Sequence, residues 1–162
     1  GETMNYIVAV SDSHGRREEI RKLLPVINGA DMFVFLGDCT GDIYALKKEI
    51  TVPVVAVNGN CDAIKVYEDE EIVSWRGHRI LAAHGHKYGV KRDLLNITYA
   101  AKEKMCDCVL FGHTHEAVTE ENDGVLLINP GSIAEPRFSL PSYCMATEEN
   151  GKIFPKIIYI KP

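Results

Sequence analysis

The sequence predicts an α/β fold in which two mixed β-sheets pack face to face and helices cover both outer surfaces, a four-layer α/β/β/α sandwich. In the first half of the chain, short apolar runs rich in β-forming residues alternate with helical patterns, which is typical of parallel strands joined by right-handed crossovers. In the second half, apolar runs flank two-residue turns that favour antiparallel hairpins. No linker or repeat separates the halves, so we expect them to share one fold.

The first half is predicted to contain three strands and two helices. Residues 16–27 carry apolar side chains at helical spacing, with Ser13 as the predicted N-cap, although Pro25 disfavours a regular last turn. In chain order, the predicted elements are a strand at 6–10, this helix, a strand at 32–36, a helix at 42–50 and a strand at 53–57.

The second half is predicted to contain hairpins and one further helix. The turn dipeptides Arg76-Gly77, Asp123-Gly124 and Asn150-Gly151 each lie between apolar runs. We expect Trp75 to pack within the first hairpin and His78 to be a solvated turn residue. The other predicted elements are strands at 72–75, 79–83 and 108–111 and a helix at 91–104.

The composition is that of a globular protein of about one domain. Of the 162 residues, 46% are apolar and 25% are charged, which excludes intrinsic disorder and fibrous structure. The apolar runs are too short to span a bilayer, and the chain does not open on a basic segment followed by a long apolar one. We therefore expect a cytoplasmic protein with no membrane partner. Residues 1–3, before Met4, are interpreted as an expression scar, and 4–162 as a single domain.

The net charge excludes one class of partner. Eighteen Lys and Arg residues against 23 Asp and Glu residues give a formal charge of −5, so we expect no broad basic face for long DNA or RNA. A short nucleotide held by a metal ion stays open, because the metal would bring the positive charge. The five cysteines are odd in number and lack CxxC spacing, which favours reduced thiols over a disulfide framework.

Polar clusters follow five of the predicted strands, and five of the six histidines lie in three of these clusters. Because ligand sites of α/β sheets lie beyond the carboxyl ends of the strands, we expect the five loops to meet. Glycine beside each cluster allows tight turns and close backbone approach. The clusters are Asp12-Ser13-His14, Gly37-Asp38, Asn58-Gly59-Asn60-Cys61-Asp62, His84-Gly85-His86 and Gly112-His113-Thr114-His115.

This mixture of carboxylate, amide and imidazole groups predicts a transition-metal site. Oxygen and nitrogen donors together suit Mn, Fe, Ni, Co or Zn better than Ca or Mg. No cluster has CxxC or HExxH spacing, which excludes zinc-ribbon and zincin sites. The candidate ligands exceed what one ion needs, so we expect two ions that share a carboxylate and lower the pKa of a bridging water. The seven candidates are Asp12, His14, Asp38, Asn60, His84, His113 and His115.

In this order, the motifs DxH, GD, GNCD, HGH and GHTH resemble the calcineurin-like metallophosphoesterase superfamily, in particular its small bacterial and archaeal phosphodiesterases. The resemblance covers about residues 7–132. Each motif alone is weakly specific, but five in order, each after a predicted strand, are specific. The resemblance implies a two-metal phosphoesterase on the four-layer fold, with manganese as the expected metal and Ni, Fe, Co or Zn as alternatives.

The resemblance also implies which residues hold which ion. Asp38 would bridge the two ions, and a bridging hydroxide would attack phosphorus in line without a covalent enzyme intermediate. His86 would lie just outside the ligands and face the phosphate or tune a ligand. The loop 129–132 resembles a family loop near the site, with a tight structural turn as the alternative. One ion is assigned to Asp12, His14, Asp38 and His115, and the other to Asp38, Asn60, His84 and His113.

Two positions depart from the superfamily pattern. Many members carry His after the GN motif, where it is proposed to protonate the leaving group; this position is Cys61 here, and a thiol with a pKa of about 8.5 is a poor acid at neutral pH. This favours diesters with good leaving groups over monoesters; alternatively, Cys61 only fills a small buried space. No arginine follows Gly37-Asp38, so the clamp of phosphoprotein phosphatases is absent. The candidate catalytic residues are Asp38, Asn60, Cys61 and His86.

We therefore expect a two-metal phosphodiesterase that acts on small nucleotide or aryl diesters. A phosphomonoesterase is one alternative, and a protein-interaction scaffold of the same fold, like a retromer subunit, is another, against which the intact set of ligands argues. A nuclease acting on long DNA or RNA would need a basic groove or a capping domain. Arg137 and Phe138 are interpreted as reaching substrate phosphate and base, or as a solvated loop, and a homo-oligomer stays open.

Overall fold

The computed structural model describes residues 5–63, 66–136 and 139–161. These residues contain two five-stranded sheets and four short helices. Arg137 and Phe138 lie outside the described residues. The strands are β1 (Tyr6–Val10), β2 (Met32–Phe35), β3 (Val54–Ala56), β4 (Glu70–Trp75), β5 (His78–Ala83), β6 (Cys108–Leu110), β7 (Val118–Asn122), β8 (Val125–Asn129), β9 (Ser142–Glu149) and β10 (Lys152–Tyr159). The helices are α1 (Arg17–Arg21), α2 (Leu24–Ile27), α3 (Thr40–Leu46) and α4 (Leu95–Glu103), with a 3₁₀ turn at His86–Tyr88.

Both sheets mix parallel and antiparallel strands. The first sheet has the strand order β10-β9-β1-β2-β3, in which β1, β2 and β3 are parallel and the C-terminal hairpin adds two antiparallel strands beside β1. The second sheet has the order β4-β5-β6-β8-β7, in which β5, β6 and β8 are parallel and the two edge strands are antiparallel. The predicted pair of mixed sheets is confirmed.

Three apolar clusters hold the layers together. The central cluster lies between the two sheets and includes Val34 of β2 and Ile80 of β5. A second cluster packs α1, α2 and α3 on the outer face of the first sheet, with Phe33 of β2 at its centre, and a third packs α4 on the second sheet through Ile97. Because alternate residues of a strand point to opposite faces, the neighbours Phe33 and Val34 belong to different clusters. The predicted α/β/β/α order of layers is confirmed.

The helix predicted over residues 16–27 is two short helices. α1 ends at Arg21, and α2 begins at Leu24 with Pro25 in its first turn. Proline has no N–H to donate to the preceding turn, so it fits the start of a new helix better than the interior of an existing one. The prediction that Ser13 is the N-cap is wrong, because its hydroxyl donates instead to Asp42 Oδ2 at 2.6 Å.

The prediction that His78 is a solvated turn residue is also wrong. The hairpin turn is confined to Arg76 and Gly77, both in left-handed backbone, so His78 already pairs with Trp75 across the sheet. His78 is only 9% exposed, and its Nδ1 lies 2.5 Å from Asp107 Oδ2. Trp75 is buried between the sheets, as the hairpin-packing prediction requires.

The five cysteines are free thiols, in agreement with the prediction that they form no disulfide framework. Cys106 and Cys108 are buried and pack in the apolar clusters, whereas Cys61 is exposed. The alternative in which Cys61 fills a small buried space is therefore wrong. Within the described ranges, no helix combines the length and the apolar character needed to cross a membrane.

Replacing Phe33 with Ala tests the outer helical layer. Phe33 is fully buried beneath the three N-terminal helices, so we expect the variant to lower the free energy of unfolding by about 3–5 kcal/mol, as large core truncations do. Urea denaturation measures the change. The matched control is Phe154→Ala on the edge strand β10, where the ring is 49% exposed and the expected loss is much smaller. Equal losses in the two variants would contradict the layer assignment.

Candidate metal centre

The loops that carry the five polar clusters meet at one edge of the sandwich. They follow β1, β2 and β3, parallel neighbours in the first sheet, and β5 and β6, parallel neighbours in the second. Hydrogen bonds cross between the sheets here: the His113 amide donates to Asp12 Oδ2 at 3.2 Å, and His84 Nδ1 lies 2.6 Å from the carbonyl oxygen of Leu36. The expected meeting of the loops at the carboxyl ends of the strands is therefore observed.

Asp12, His14 and His115 form one group of potential ligands, whose donor atoms all lie within 4.8 Å of one another. From Asp12 Oδ1, the distance is 3.2 Å to His115 Nε2 and 3.7 Å to His14 Nε2. The two Nε2 atoms are 3.3 Å apart. Two lone pairs would repel at this distance, so a proton or a metal ion must lie between these rings.

Asp12, Asp38 and His84 form a second such group, again within 4.8 Å. His84 Nε2 is 3.3 Å from Asp38 Oδ2 and 3.9 Å from Asp12 Oδ1, and His113 Nδ1 is 3.2 Å from the same His84 nitrogen. Asp38 Oδ2 is also 3.9 Å from His14 Nε2. Both carboxylates thus lie between His14 of the first sheet and the imidazoles of the second sheet.

Backbone carbonyls orient two of the imidazoles. His84 Nδ1 lies 2.6 Å from the carbonyl of Leu36, and His115 Nδ1 lies 2.6 Å from the carbonyl of Glu135. A carbonyl oxygen can only accept, so each Nδ1 carries a proton and Nε2 is the ring atom that faces the carboxylates. In the neutral ring, this Nε2 has the lone pair that would bind a metal ion. This arrangement is the one by which proteins hold metal-ligating histidines in a defined tautomer.

A buried carboxylate oxygen tests whether these residues fit a metal ion. Asp12 is fully buried, and its Oδ1 accepts no hydrogen bond from any described residue. An ionised oxygen removed from water needs a compensating donor or cation. The nitrogen atoms that surround it come from His14, His84 and His115. A set of carboxylate oxygens and imidazole nitrogens around an unpaired anionic oxygen fits a divalent transition metal.

The pKa values at the site follow from burial and from the carboxylates. Burial by itself would raise the pKa of Asp12, but the imidazoles of His115 and His14 beside the carboxylate outweigh it, and the pKa is lowered. The Asp12 carboxylate in turn raises the pKa of His14 and of His115. In contrast, desolvation and neighbouring positive charge lower the pKa of His113 to about 4. The His113 ring is therefore neutral at neutral pH, with a lone pair free to bind a cation.

Left-handed backbone positions many of the candidate ligands. For a residue with a Cβ atom, this conformation costs roughly 1–2 kcal/mol. Outliers of this kind cluster at functional sites, where surrounding structure must hold them. The φ angles are 57° at Asp12, 46° at His14, 53° at Asp38, 73° at His113 and 61° at His115.

Asp62 is the residue that holds the loop after β2 to the loop after β3. Its Oδ2 accepts from the amides of Asp38 at 3.0 Å and Gly59 at 2.7 Å, and its Oδ1 accepts from the amide of Thr40 at 2.8 Å. Gly59 is required at its position, since a Cβ there would lie 2.0 Å from Asp38 Oδ1. The sequence placed Asp62 in a polar cluster but did not distinguish a residue that holds loops together from one that binds metal.

Two further contacts brace the loop after β1. Asp42 Oδ2 accepts from the Ser13 hydroxyl and from the Gly15 amide at 3.0 Å, which ties this loop to α3. From the other side, the Ser132 hydroxyl donates to the Asp12 carbonyl at 2.8 Å. In the same loop as Ser132, Asn129 Nδ2 donates to the carbonyl of Gly112 at 3.1 Å. The loop 129–132 therefore joins the first and last clusters, a role that sequence reasoning left undecided.

Residues 4–151 match the calcineurin-like phosphoesterase superfamily domain. The chain belongs to this superfamily. It is 37% identical over 149 residues to the probable metallophosphoesterase YsnB of Bacillus subtilis, an alignment that covers 91% of this chain and 86% of YsnB. It is 29% identical over 140 residues to the phosphodiesterase MJ0936 of Methanocaldococcus jannaschii, with 75% of this chain and 80% of the relative covered.

Solved structures share the fold. The crystal structure of a predicted phosphoesterase from Streptococcus pneumoniae superposes with a TM-score of 0.84 at 22% identity, over 98% of this chain and 91% of that one. Vps29 from Chaetomium thermophilum superposes with a TM-score of 0.77 at 19% identity, over 100% of both chains. At these identities, the structural likeness establishes the fold alone. The superfamily match confirms the predicted resemblance to the metallophosphoesterases.

Three candidate residues of this superfamily member lie at the rim of the cluster. Asn60 is exposed, and its amide nitrogen lies 3.6 Å from Cys61 Sγ, so its assignment as a ligand stays a prediction. The Cys61 amide donates to Asp38 Oδ1 at 2.8 Å, which places the thiol beside the second carboxylate. The His86 ring centroid is 5.4 Å from that of His84 and 6.1 Å from that of His113.

Replacing Asp62 with Asn tests its structural role. We expect about 1–3 kcal/mol of destabilisation for each buried amide that loses its acceptor. Because Asp38 is then less well positioned, Mn²⁺ affinity should fall by about 10- to 100-fold, as for other residues that orient metal ligands. Urea denaturation and calorimetric titration with Mn²⁺ measure the two effects.

The control for this substitution is Asp123→Asn. Asp123 occupies an exposed hairpin turn with a φ of 52°, which Asn tolerates well. Loss of its surface ion pair with Lys102 should change stability by less than about 1 kcal/mol and leave Mn²⁺ affinity unchanged. If the Asp62 variant behaved like this control, Asp62 would not be what holds the two loops in place.

Proposed function

We propose that this chain hydrolyses small phosphodiesters by means of two divalent metal ions held by the converging loops. The observation that carries the proposal is the buried Asp12 Oδ1, which has no hydrogen-bond donor among the described residues and three imidazole nitrogens within 3.9 Å. A divalent transition metal is the partner that such a set of donors favours. Membership in the calcineurin-like superfamily and the relationship to a named phosphodiesterase support the hydrolytic role.

The ligand assignment follows the superfamily pattern, with Asp38 as the bridge. Its Oδ2 lies 3.9 Å from His14 Nε2 and 3.3 Å from His84 Nε2, which supports a position between two ions. The donor chemistry suits manganese, with nickel, iron, cobalt and zinc as alternatives. One ion would be held by Asp12, His14, Asp38 and His115, and the other by Asp38, Asn60, His84 and His113.

When bound, the two ions would supply a water of lowered pKa and neutralise charge on the phosphoryl oxygens. Beside these ions, the neutral ring of His86 would also take part in the reaction. Desolvation lowers the pKa of His86, so the ring is uncharged at neutral pH. Its Nδ1 is buried and has no hydrogen-bond partner within the described ranges. We assign His86 the role of donating an N–H to a phosphate oxygen or tuning the neighbouring His84.

Cys61 supports a preference for diesters. Partial desolvation and the neighbouring Asp38 carboxylate raise the pKa of the thiol, so it is neutral and a weak proton donor at neutral pH. Leaving groups that need protonation would therefore depart slowly, whereas aryl groups, which leave as stable phenolates, would not. A diester also carries one negative charge fewer than a monoester dianion, and so requires less charge neutralisation.

The substrates we propose are small nucleotide or aryl diesters. The formal charge of −5 disfavours long DNA or RNA as the substrate. Free thiols and the absence of a membrane-spanning helix among the described residues are consistent with the predicted cytoplasmic location, and this location and a homo-oligomer stay predictions.

Hydrolysis of bis-p-nitrophenyl phosphate by metal-stripped protein, with and without added Mn²⁺ or Ni²⁺, tests the proposal. We expect activity only with metal, and higher activity than on p-nitrophenyl phosphate. His113→Ala should lower kcat/KM by at least about 100-fold, because it removes a ligand rather than a residue that orients one.

The control is His78→Ala, which removes the one histidine outside the five clusters, at the opposite end of β5. Once folding is verified by circular dichroism, this variant should retain the metal-dependent activity. Metal binding without turnover of either ester would refute catalysis and favour a protein-interaction scaffold. Faster turnover of the monoester would favour the phosphomonoesterase alternative.

Replacing Cys61 with His tests the leaving-group argument. Imidazole has a pKa near neutrality and would act as a proton donor, so we expect hydrolysis of aryl phenyl phosphates with poor leaving groups to rise by about tenfold or more. The measurement is the dependence of log kcat on leaving-group pKa, which should become shallower. Cys61→Ser, which offers no better acid, is the control. An unchanged slope in the His variant would contradict a role for this position in leaving-group departure.

A further inference from the structure

An apolar cavity opens beside the candidate metal centre, at the outer edge of the first sheet. It has a volume of about 390 Å³, within the roughly 300–1,000 Å³ range of small-molecule sites. It lies between the start of α3 and the loop that follows β3. The residues that line it are Cys39, Thr40, Gly41, Tyr44, Cys61, Asp62, Ala63 and Val66.

We propose that this cavity binds an aromatic ester group of the substrate, with the ring stacked on Tyr44. The inference rests on the proposed function, since it assigns the organic part of a phosphodiester to a place beside the site assigned to its phosphate. It selects aryl and nucleoside esters over small alkyl esters as the substrate class.

Continuity with the metal centre supports this occupant. Cys61 is one of the residues that line the cavity, and its amide donates to Asp38 Oδ1 at 2.8 Å. Asp62, also in the lining, accepts from the Asp38 amide. One residue therefore separates the cavity from a carboxylate of the candidate metal centre. A phosphate held at the candidate metal centre would therefore lie next to residues that line the cavity.

The chemistry of the walls changes sharply between the two neighbouring sites. The metal centre is built from carboxylates and imidazoles, whereas the cavity wall is mainly apolar, with thiols, small side chains and the Tyr44 ring. Tyr44 is 63% exposed and Val66 is 58% exposed. Large apolar side chains so exposed at the rim of a cavity are typical of a binding site. A charged phosphate gains nothing from such a wall, but an aromatic ring removes its surface from water there.

Tyr44 determines which chemical class of ester group fits the cavity. It projects from α3 while the neighbouring Ile43 and Leu46 are buried, so the helix core fixes the backbone and leaves the ring free to contact a ligand. Stacking between aromatic rings adds an amount equivalent to about 3- to 10-fold in affinity beyond burial of area. A small alkyl ester group would gain neither the stacking contribution nor a comparable burial of apolar area.

Calorimetric binding of two phosphonates to Mn²⁺-loaded protein tests the proposal without turnover. Phenylphosphonate and methylphosphonate share the charged head, and their P–C bonds are not esters. We expect phenylphosphonate to bind about 3- to 10-fold more tightly. Tyr44→Ala should abolish this preference by weakening phenylphosphonate alone, whereas Tyr44→Phe should keep it. Tyr99→Ala, which removes a tyrosine of similar exposure from α4, should change neither affinity.

Equal affinities for the two phosphonates, or a preference that survives Tyr44→Ala, would overturn the proposal. Failure of both phosphonates to bind would instead count against the phosphate site of the proposed function. The cavity then remains testable on metal-stripped protein, because Cys61 is an exposed thiol within it.

The metal-free measurement compares alkylation of Cys61 by N-phenylmaleimide and by N-methylmaleimide, with the site of reaction mapped by mass spectrometry. Relative to the same ratio for glutathione, we expect Cys61 to favour the phenyl reagent by about 3- to 10-fold. Tyr44→Ala should return the ratio to that of glutathione. A wild-type ratio equal to that of glutathione would refute the aromatic site, whether or not the protein binds metal.

Discussion

Burial of two carboxylates in one polar cluster is the constraint on which the rest of the structure depends. Asp12 and Asp38 are at most 2% exposed, and charged groups so deeply buried are tolerated only when donors or cations compensate them. The compensating groups arrive from both sheets, since the His113 amide reaches Asp12 and the Cys61 amide reaches Asp38. The sandwich must therefore bring the ends of its two sheets to the same edge, and the fold and the site form together.

The loops at this edge are held before any ligand arrives. The left-handed residues would relax if they were free, but Asp62, Asp42 and Ser132 tie each loop to a helix or to another loop. Donors held in place in this way lose little entropy when a metal binds, which is the physical basis of preorganisation. Proteins of this fold do not all share one role, so the proposal of catalysis rests on the candidate donor set rather than on the sandwich.

Charge and apolar surface are divided between two adjoining regions. The carboxylates and imidazoles lie between the sheets, where β1 and β2 face β5 and β6. The apolar cavity lies at the outer edge of the first sheet, where β3 is the edge strand among the described strands and α3 contributes to the wall. Cys61 belongs to both regions. A phosphodiester has the same division, with a charged centre and uncharged ester groups, which is why we propose this class of substrate.

The sequence by itself determined the strands of the two sheets and the types of residue at the site. Apolar runs and turn dipeptides predicted the sheets. The rule that parallel strands place their carboxyl ends together predicted that Asp12, Asp38 and His84 would meet. Only the tertiary structure decided that the C-terminal hairpin joins β1, because pairing between distant segments depends on the packing of the whole chain. It also decided the burial of His78 and the bracing role of Asp62. Sequence patterns report local periodicity and residue type, whereas the direction in which a polar side chain points depends on the neighbours that folding brings to it.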